Sequence, residues 1–487
     1  MSFITFEAKF SFMNKLIGRK KELETLKSLL NSNKSEFIAV YGRRRVGKTF
    51  LIPSAFNQQF AFQVSALANA TLSQQLTNFH IALQKVYPAI EQSSTTDWLS
   101  AFQQLIAYIE CVKETPKVIF FDELPWFDTQ ASGFIQALEH FWNSWASARN
   151  DIILIVCGSA ASWMINKLIN NKGGLYNRVT KRIKLAPFSL NECELFLNSK
   201  STVLDRYQII QLYMAFGGIP FYWDEVMPGK SAAQNINEIC FSENGLLRNE
   251  FPNLFRSLFN NYQKHEAVIN ALTQKAKGLS RDEIINSTGL PNAGSTTKIL
   301  TELEESGFIR KYTPFGKKSR NSLYQLSDFY SLFYQRFIKN SLTINQYNWL
   351  TFIDSPKYRV WSGYAFEQVC LHHLPQIKQA LGISGVQTSV SAWRSKSKME
   401  GAQIDLVIDR RDQVINLCEM KYSINPFTID NKYAEELRNK TGVFKSETNT
   451  RKSVFLTMIT TFGLKSNSYS TGLVQNDLKM DILFTDL

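Results

Sequence analysis

Between Ile17 and about Pro187, short runs of consecutive apolar residues alternate with longer stretches whose apolar positions recur at helical spacing. A strand buried on both faces is apolar at nearly every position, whereas a half-exposed strand alternates. The runs Phe37 to Tyr41, Val118 to Phe121 and Ile152 to Cys157 therefore predict central parallel strands covered by helices, an α/β core. After Ala186-Pro187-Phe188 the periodicity becomes helical through SLNECELFLNS and DRYQIIQLYMAF. It stops at Gly217-Gly218-Ile219-Pro220, residue types that end a helix.

A different pattern follows from about Asn261. The amphipathic segment HEAVINALTQKA precedes SRDEIINSTG, the turn residues LPNAG and then STTKILTELEESG, which predicts two helices joined by a short turn. Ser295 is expected to cap the second of them. The segment FIRKYTPFGKKSRNSLYQLSD reads as two strands around a loop holding Gly316, Lys317, Lys318 and Arg320, which completes a winged helix-turn-helix pattern. From about Tyr358 one helix, GYAFEQVCLHHLPQIKQAL, precedes the strands QIDLVID, QVINLCEMKYS and SVFLTMIT. The expected domains are 15–187 as the α/β core, 188–260 as a helical lid, 261–341 as the winged helix and 342–487 as a second α/β domain.

Composition narrows the picture. The 487 residues suggest about three domains at roughly 150 residues each. Aromatic content of 13% and apolar content of 44% exclude a disordered chain, and no stretch offers about 18 uninterrupted apolar residues for a membrane span. Fifty-five Lys and Arg against 42 Asp and Glu leave a formal charge of +13, which favours an anionic partner such as nucleic acid. Cys111, Cys157, Cys193, Cys240, Cys370 and Cys418 form no CxxC pair and suit a reduced cytoplasm. The N-terminal MSFITFEAKFSF alternates instead of presenting a continuous apolar segment, so secretion is not expected, and Met13 is an alternative start.

The most specific chemistry lies after the first strand. Gly42-Arg43-Arg44-Arg45-Val46-Gly47-Lys48-Thr49 matches GxxxxGK[ST] between the strand FIAVY and the helix start FLIPSAF. Small residues let successive backbone N–H groups curl around phosphates, the lysine reaches the β- and γ-oxygens, and the hydroxyl binds Mg²⁺, so ATP and Mg²⁺ are the expected cofactors. Val118-Ile119-Phe120-Phe121-Asp122-Glu123 ends an apolar strand in two carboxylates. Asp122 is the candidate for the Mg²⁺ shell with Thr49, and Glu123 for polarising the attacking water. Ser159, after the strand Ile152 to Cys157, is the candidate polar group near the γ-phosphate.

In the last domain, Asp405 sits in QIDLVID while Glu419 and Lys421 sit two apart in VINLCEMKY, hence on one strand face. A turn at RRDQ would return the first strand beside the second. Two carboxylates for a divalent metal and a lysine beside the attacking water make a D…ExK pattern suited to phosphodiester cleavage. His372-His373 point in different directions on their helix and are read as structural. Thr296, Thr297 and Lys298 are expected to face DNA, with Lys311, Lys317, Lys318 and Arg320 on phosphates.

IGRKKELETL, the GRRRVGKT loop, FFDELPW, CGSAASWM, LYNRVTKRIKLAPFS and GGIPFYW together resemble a prokaryotic ATPase family of the AAA+/STAND type, found mainly in archaea. That resemblance implies a P-loop NTPase core with a helical lid, a winged helix and a C-terminal domain related to PD-(D/E)XK nucleases. It further implies that Ile17-Gly18-Arg19 lies near the adenine, that Arg178 acts on the γ-phosphate, and that Glu367 fills the fourth acidic position of the nuclease. The family often has glycine where this chain has Asn177. An assembly of several copies is also implied, because such sites often complete themselves across subunits. The expected function is a cytoplasmic ATPase coupling nucleotide state to DNA binding or metal-dependent cleavage. The alternative is a nucleotide-switched regulator whose nuclease-like domain is inactive and binds a partner or DNA.

Overall fold

The computed structural model describes residues 16–89, 95–170, 173–259, 261–341, 348–395 and 401–487, so the N-terminal alternation and Met13 lie outside the described residues. The chain divides into two compact units, residues 1–187 and 188–487.

The first unit is built on β1 (Glu36–Tyr41), β2 (Phe62–Ser65), β3 (Lys117–Asp122), β4 (Ile152–Gly158) and β5 (Lys181–Lys184), in the order β2-β3-β4-β1-β5. Every pairing is parallel. β3 and β4 are buried along their whole length and β1 along all but its last residue, as their unbroken apolar runs require. Around them stand α1 (Lys20–Ser28), α2 (Lys48–Ala55), α3 (Leu72–Val86), α4 (Trp98–Cys111) and α5 (Phe134–Ser144). An aromatic cluster of Phe79, Trp98, Phe102, Phe121 and Phe134 binds α3, α4 and α5 to the sheet, with Trp98 and Phe134 centroids 4.9 Å apart. Because all strands run one way, their C-terminal ends share one edge, where ligands bind in open α/β sheets. The loop after β1, the carboxylates after β3 and Ser159 after β4 all emerge there.

The second unit begins with α6 (Leu190–Ser199) and α7 (Arg206–Phe216), each opened by a side-chain cap, Ser189 and Asp205. Gly217 ends α7 with φ 65, as the glycine pair predicts. α8 (Ala232–Cys240) and α9 (Glu250–Leu258) complete the helical segment. Next come α10 (Tyr262–Thr273), α11 (Arg281–Thr288), α12 (Gly294–Glu305) and the antiparallel hairpin β6 (Ile309–Tyr312) and β7 (Leu323–Leu326). Two details differ from expectation. α12 begins at Gly294 behind Ala293 with no side-chain cap, so Ser295 lies inside the helix. Thr296 is fully buried and its hydroxyl donates to the Pro291 carbonyl, so it holds the turn and cannot reach a base.

The single helix expected from Gly363 to Leu381 is two, α13 (Pro356–His372) and α14 (Leu374–Ala380). Pro375 has no N–H to give to a continuous helix and sits instead in the first turn of the next. β8 (Thr388–Arg394), β9 (Gln403–Arg410), β10 (Val414–Lys421), β11 (Ser453–Thr460) and β12 (Asn476–Lys479) make a mixed sheet ordered β12-β11-β10-β9-β8, with α15 (Asn431–Thr448) between β10 and β11. β9 returns antiparallel beside β10, with Leu406 opposite Cys418. Continuing that register sets Asp405 across from Glu419 on one face. Among the described residues no helix is long and apolar enough to cross a membrane, and all six cysteines are free.

Candidate functional site

The loop between β1 and α2 is shaped by three residues in the left-handed region: Gly42 (φ 155), Arg45 (φ 68) and Gly47 (φ 92). Gly42 has a second constraint, since a Cβ there would stand 2.3 Å from the Leu185 carbonyl oxygen. Val46 and Arg43 are buried, while Arg44 and Arg45 are half-buried. The Arg19 guanidinium, 5% exposed, donates to the Val46 carbonyl at 3.2 Å and so braces the loop from below. Lys48 opens α2, where unpaired N–H groups and the helix dipole favour an anion. Its ammonium donates to the carbonyls of Gly42 and Arg43, both at 3.0 Å. Burial holds that ammonium below its ordinary pKa, against the opposing charge of Glu123.

Asp122, buried at the end of β3, gathers the surrounding hydroxyls. Thr49 Oγ1 and Ser65 Oγ each approach its Oδ2 at 3.4 Å, and the buried Cys157 thiol donates to Oδ1. Exposed Thr49 and buried Asp122 are neighbouring hard oxygen donors, which fits a magnesium ion that keeps several of its waters. Glu123 follows in a left-handed turn (φ 50), and its Oε2 accepts from both the backbone N–H and the hydroxyl of Ser159 at 2.9 Å. Ser159 thus positions the Glu123 carboxylate. Arg178 is exposed in the turn after Leu175, beside Asn177, whose φ of 54 explains why glycine suits that place. Ser65 and Cys157 were not among the expected site residues. Their position at the same strand ends as Asp122 was the available signal.

Residues 16–226, which include this sheet edge, match a family described as an ATPase domain predominantly from Archaea. The chain carries an archaeal-type ATPase domain. An uncharacterised protein of Methanocaldococcus jannaschii, MJECL04, is 26% identical over 418 residues, 83% of this chain and 87% of that protein. An uncharacterised ATP-binding protein of the same organism, MJ0423, is 58% identical over 36 residues, 7% of this chain and 61% of that one. Among solved structures, the Walker-type ATPase PABY2304 of Pyrococcus abyssi aligns at a TM-score of 0.49 and 15% identity, covering 66% of this chain and 96% of its own. ORC2 of Aeropyrum pernix aligns at 0.40 and 15%, covering 68% and 95%.

Beyond the ATPase domain, the carboxylates expected from D…ExK come within electrostatic reach of one another. Burial, reinforced by the charge of Asp405, pushes the Glu367 carboxyl up to about 8. Burial likewise raises Glu419, with the cations Lys440 and Lys421 opposing. Glu419 Oε2 accepts from Lys440 Nζ at 3.0 Å and from the Tyr433 hydroxyl at 3.3 Å, while its buried Oε1 has no hydrogen-bond partner. The Lys421 ammonium lies 4.9 Å from the centre of the Tyr433 ring. Among the described residues no group of three or more His, Cys, Asp or Glu side chains is arranged to hold a metal ion. Asp405 and Glu419 lie on neighbouring strands, and Glu419 keeps one oxygen without a hydrogen-bond partner. Lys440 and Tyr433 went unrecognised in the sequence because both lie on α15, and nothing local ties that helix to β10.

His372 and His373 take no part. Burial lowers the 2% exposed His373 to about 4. His373 Nδ1 donates to the Val369 carbonyl at 2.8 Å and Nε2 accepts from the Leu190 N–H at 3.0 Å, tying α13 to the start of α6.

Proposed function

We propose that the chain is an ATP hydrolase that couples its nucleotide state to DNA binding or metal-dependent DNA cleavage by residues 342–487. In this reading the loop N–H groups and Lys48 hold the β- and γ-phosphates, Glu123 orients the attacking water, and Ser159 fixes the Glu123 carboxylate. A magnesium ion held through Thr49 and Asp122 would neutralise charge on the phosphate oxygens. Arg178, exposed, suits delivery to a neighbouring copy. Residues 188–260 act as a lid, 261–341 as a winged helix, and 342–487 as a PD-(D/E)XK-like domain in a cytoplasmic protein.

The observation that carries the DNA part is the buried, unpartnered Oε1 of Glu419 on the strand that adjoins Asp405. A buried acceptor left without a donor costs about 1–3 kcal/mol unless a ligand satisfies it, and a divalent cation held by Glu419 and Asp405 would do so and would supply positive charge for a phosphodiester. The test is steady-state ATP hydrolysis with and without DNA. Coupling predicts a rate that changes with DNA, and an unchanged rate across DNA forms and lengths removes it.

One observation favours a second reading. Lys440 already neutralises Glu419, which is the arrangement of a domain that keeps the fold and binds a partner or DNA without cutting.

A further inference from the structure

A cavity of about 350 Å³ in the second unit has walls of opposite charge. One wall carries Glu367, Gln403 and Asp405; the other carries Lys277, Arg310 and Tyr312, all from the segment 261–341. The basic wall is held in place by backbone contacts. Leu279 and Tyr324 exchange N–H to carbonyl bonds at 2.9 and 2.8 Å, adding the Lys277 loop to the edge of β7. Gly278 (φ 87) permits this, because a Cβ there would stand 2.4 Å from the Tyr324 carbonyl oxygen. The Tyr312 hydroxyl donates to the Lys277 carbonyl at 2.6 Å, and Gln325 Nε2 donates to the Ala276 carbonyl at 2.6 Å.

The hairpin itself is docked on the sheet that bears the carboxylates. Phe315, in its loop, donates its N–H to the Ala392 carbonyl at 2.8 Å and packs on Phe444 with ring centroids 5.3 Å apart. The Tyr364 hydroxyl donates to the Leu326 carbonyl at 3.1 Å. So the hairpin faces inward over Glu367 and Asp405.

Two features of the walls call for a ligand. Half-buried Arg310 donates through Nε to the neutral Gln325 amide oxygen at 2.7 Å, although a guanidinium out of water is best satisfied by an anion. Opposite it, Gln403 Nε2 donates to Asp405, while its buried Oε1 has no hydrogen-bond partner. A phosphodiester satisfies the first, and water or a cation carried with it satisfies the second.

We propose that Lys277 and Arg310 form the phosphate-binding wall of the carboxylate site, so that residues 261–341 complete that site for a DNA phosphodiester. This rests on the reading that residues 342–487 act on DNA. It assigns the hairpin segment a place inside the site and not only on a duplex outside it.

The test uses the full chain and a fluorescent DNA oligonucleotide, in single-stranded and duplex forms, titrated in EDTA over a series of salt concentrations. Lys277 is exposed, so Lys277→Gln leaves the fold intact. The expected result is about tenfold weaker binding and a log-log salt slope shallower by about 1, the mark of one lost phosphate contact. Lys277→Arg should restore both, and Asp405→Asn, which removes a carboxylate facing the phosphate, should bind more tightly than native protein. If native protein binds DNA and Lys277→Gln binds with the same affinity and slope, the inference falls and the DNA reading stands. Weaker binding with an unchanged slope and no rescue by arginine also overturns it, as a structural effect. If native protein binds no DNA at low salt, both fall together.

Discussion

The two candidate sites are built in opposite ways. The ATP site draws its loop from eight consecutive residues, Gly42 to Thr49, and its remaining groups from the ends of β2, β3 and β4 on one parallel sheet. The carboxylate site draws on α13, β9, β10 and α15, together with the loop after α10 and the hairpin. In the first, local backbone geometry makes the chemistry. In the second, packing among distant segments does, so each charged side chain there depends on neighbours from elsewhere in the chain. Substitutions should therefore act sharply on activity in the first site and on stability as well as activity in the second.

The largest contrast is expected from Lys48→Ala. It removes the ammonium bonded to the loop carbonyls of Gly42 and Arg43, and ATP turnover measured by phosphate release should fall by about a hundredfold or more with the fold retained. Unchanged turnover would break the assignment of the loop. Lys440→Met probes the other site. Removing one partner of a buried pair leaves Glu419, 5% exposed, without its cation, and chemical denaturation should show a loss of about 3 kcal/mol. If Mn²⁺ then restores stability, Glu419 is open to metal and the nuclease reading is strengthened; if it does not, the ion pair is structural and the binding-module reading gains.

The next effect is a pH dependence. Buried His373 stays neutral in the fold to about 4, whereas in the unfolded chain it takes up a proton near 6.5. Its contribution is therefore fully present above about pH 6.5 and is lost as pH falls toward 4, by up to about 1.4 kcal/mol per pH unit. Glu367, raised to about 8, acts with the opposite sign over the same range, so the histidine's share is read as the difference between native protein and a variant. The urea midpoint of His373→Gln, which keeps an acceptor for Leu190 N–H, should gain on that of native protein as pH falls from 6.5 toward 4, and a constant difference would show that this histidine is already charged in the fold. The smallest effect is expected from Ser159→Ala. It frees the Glu123 carboxylate without removing it, and should lower kcat several-fold with little change in KM.

How much of this was legible in the sequence follows the same division. The motif GRRRVGKT, its flanking strand and the acidic end of β3 were readable because each is continuous in the chain and bound to one secondary-structure period. β2 and β5, four residues each, are too short to stand out by periodicity and take their place from the parallel sheet alone. Asp405, Glu419 and Lys421 were readable as a pattern, since strand alternation fixes which face they share. Lys277, Arg310, Tyr433 and Lys440 were not. Lys277 lies in a turn, Arg310 looks like any strand cation, and α15 carries enough charge that Lys440 reads as solvated surface. Thr296 misled for a related reason: a small polar residue in the first turn of a helix is ordinarily exposed, and here it closes the Pro291 turn.

The central claim is that an ATP-driven core serves a DNA-cutting domain. Cleavage of supercoiled and linear DNA with Mg²⁺ or Mn²⁺, with and without ATP, in native protein, Asp405→Ala and Glu419→Ala tests it most directly. The account predicts cleavage by native protein that responds to ATP and is lost in both variants. Native protein that hydrolyses ATP yet cuts no DNA under any of these conditions would contradict it.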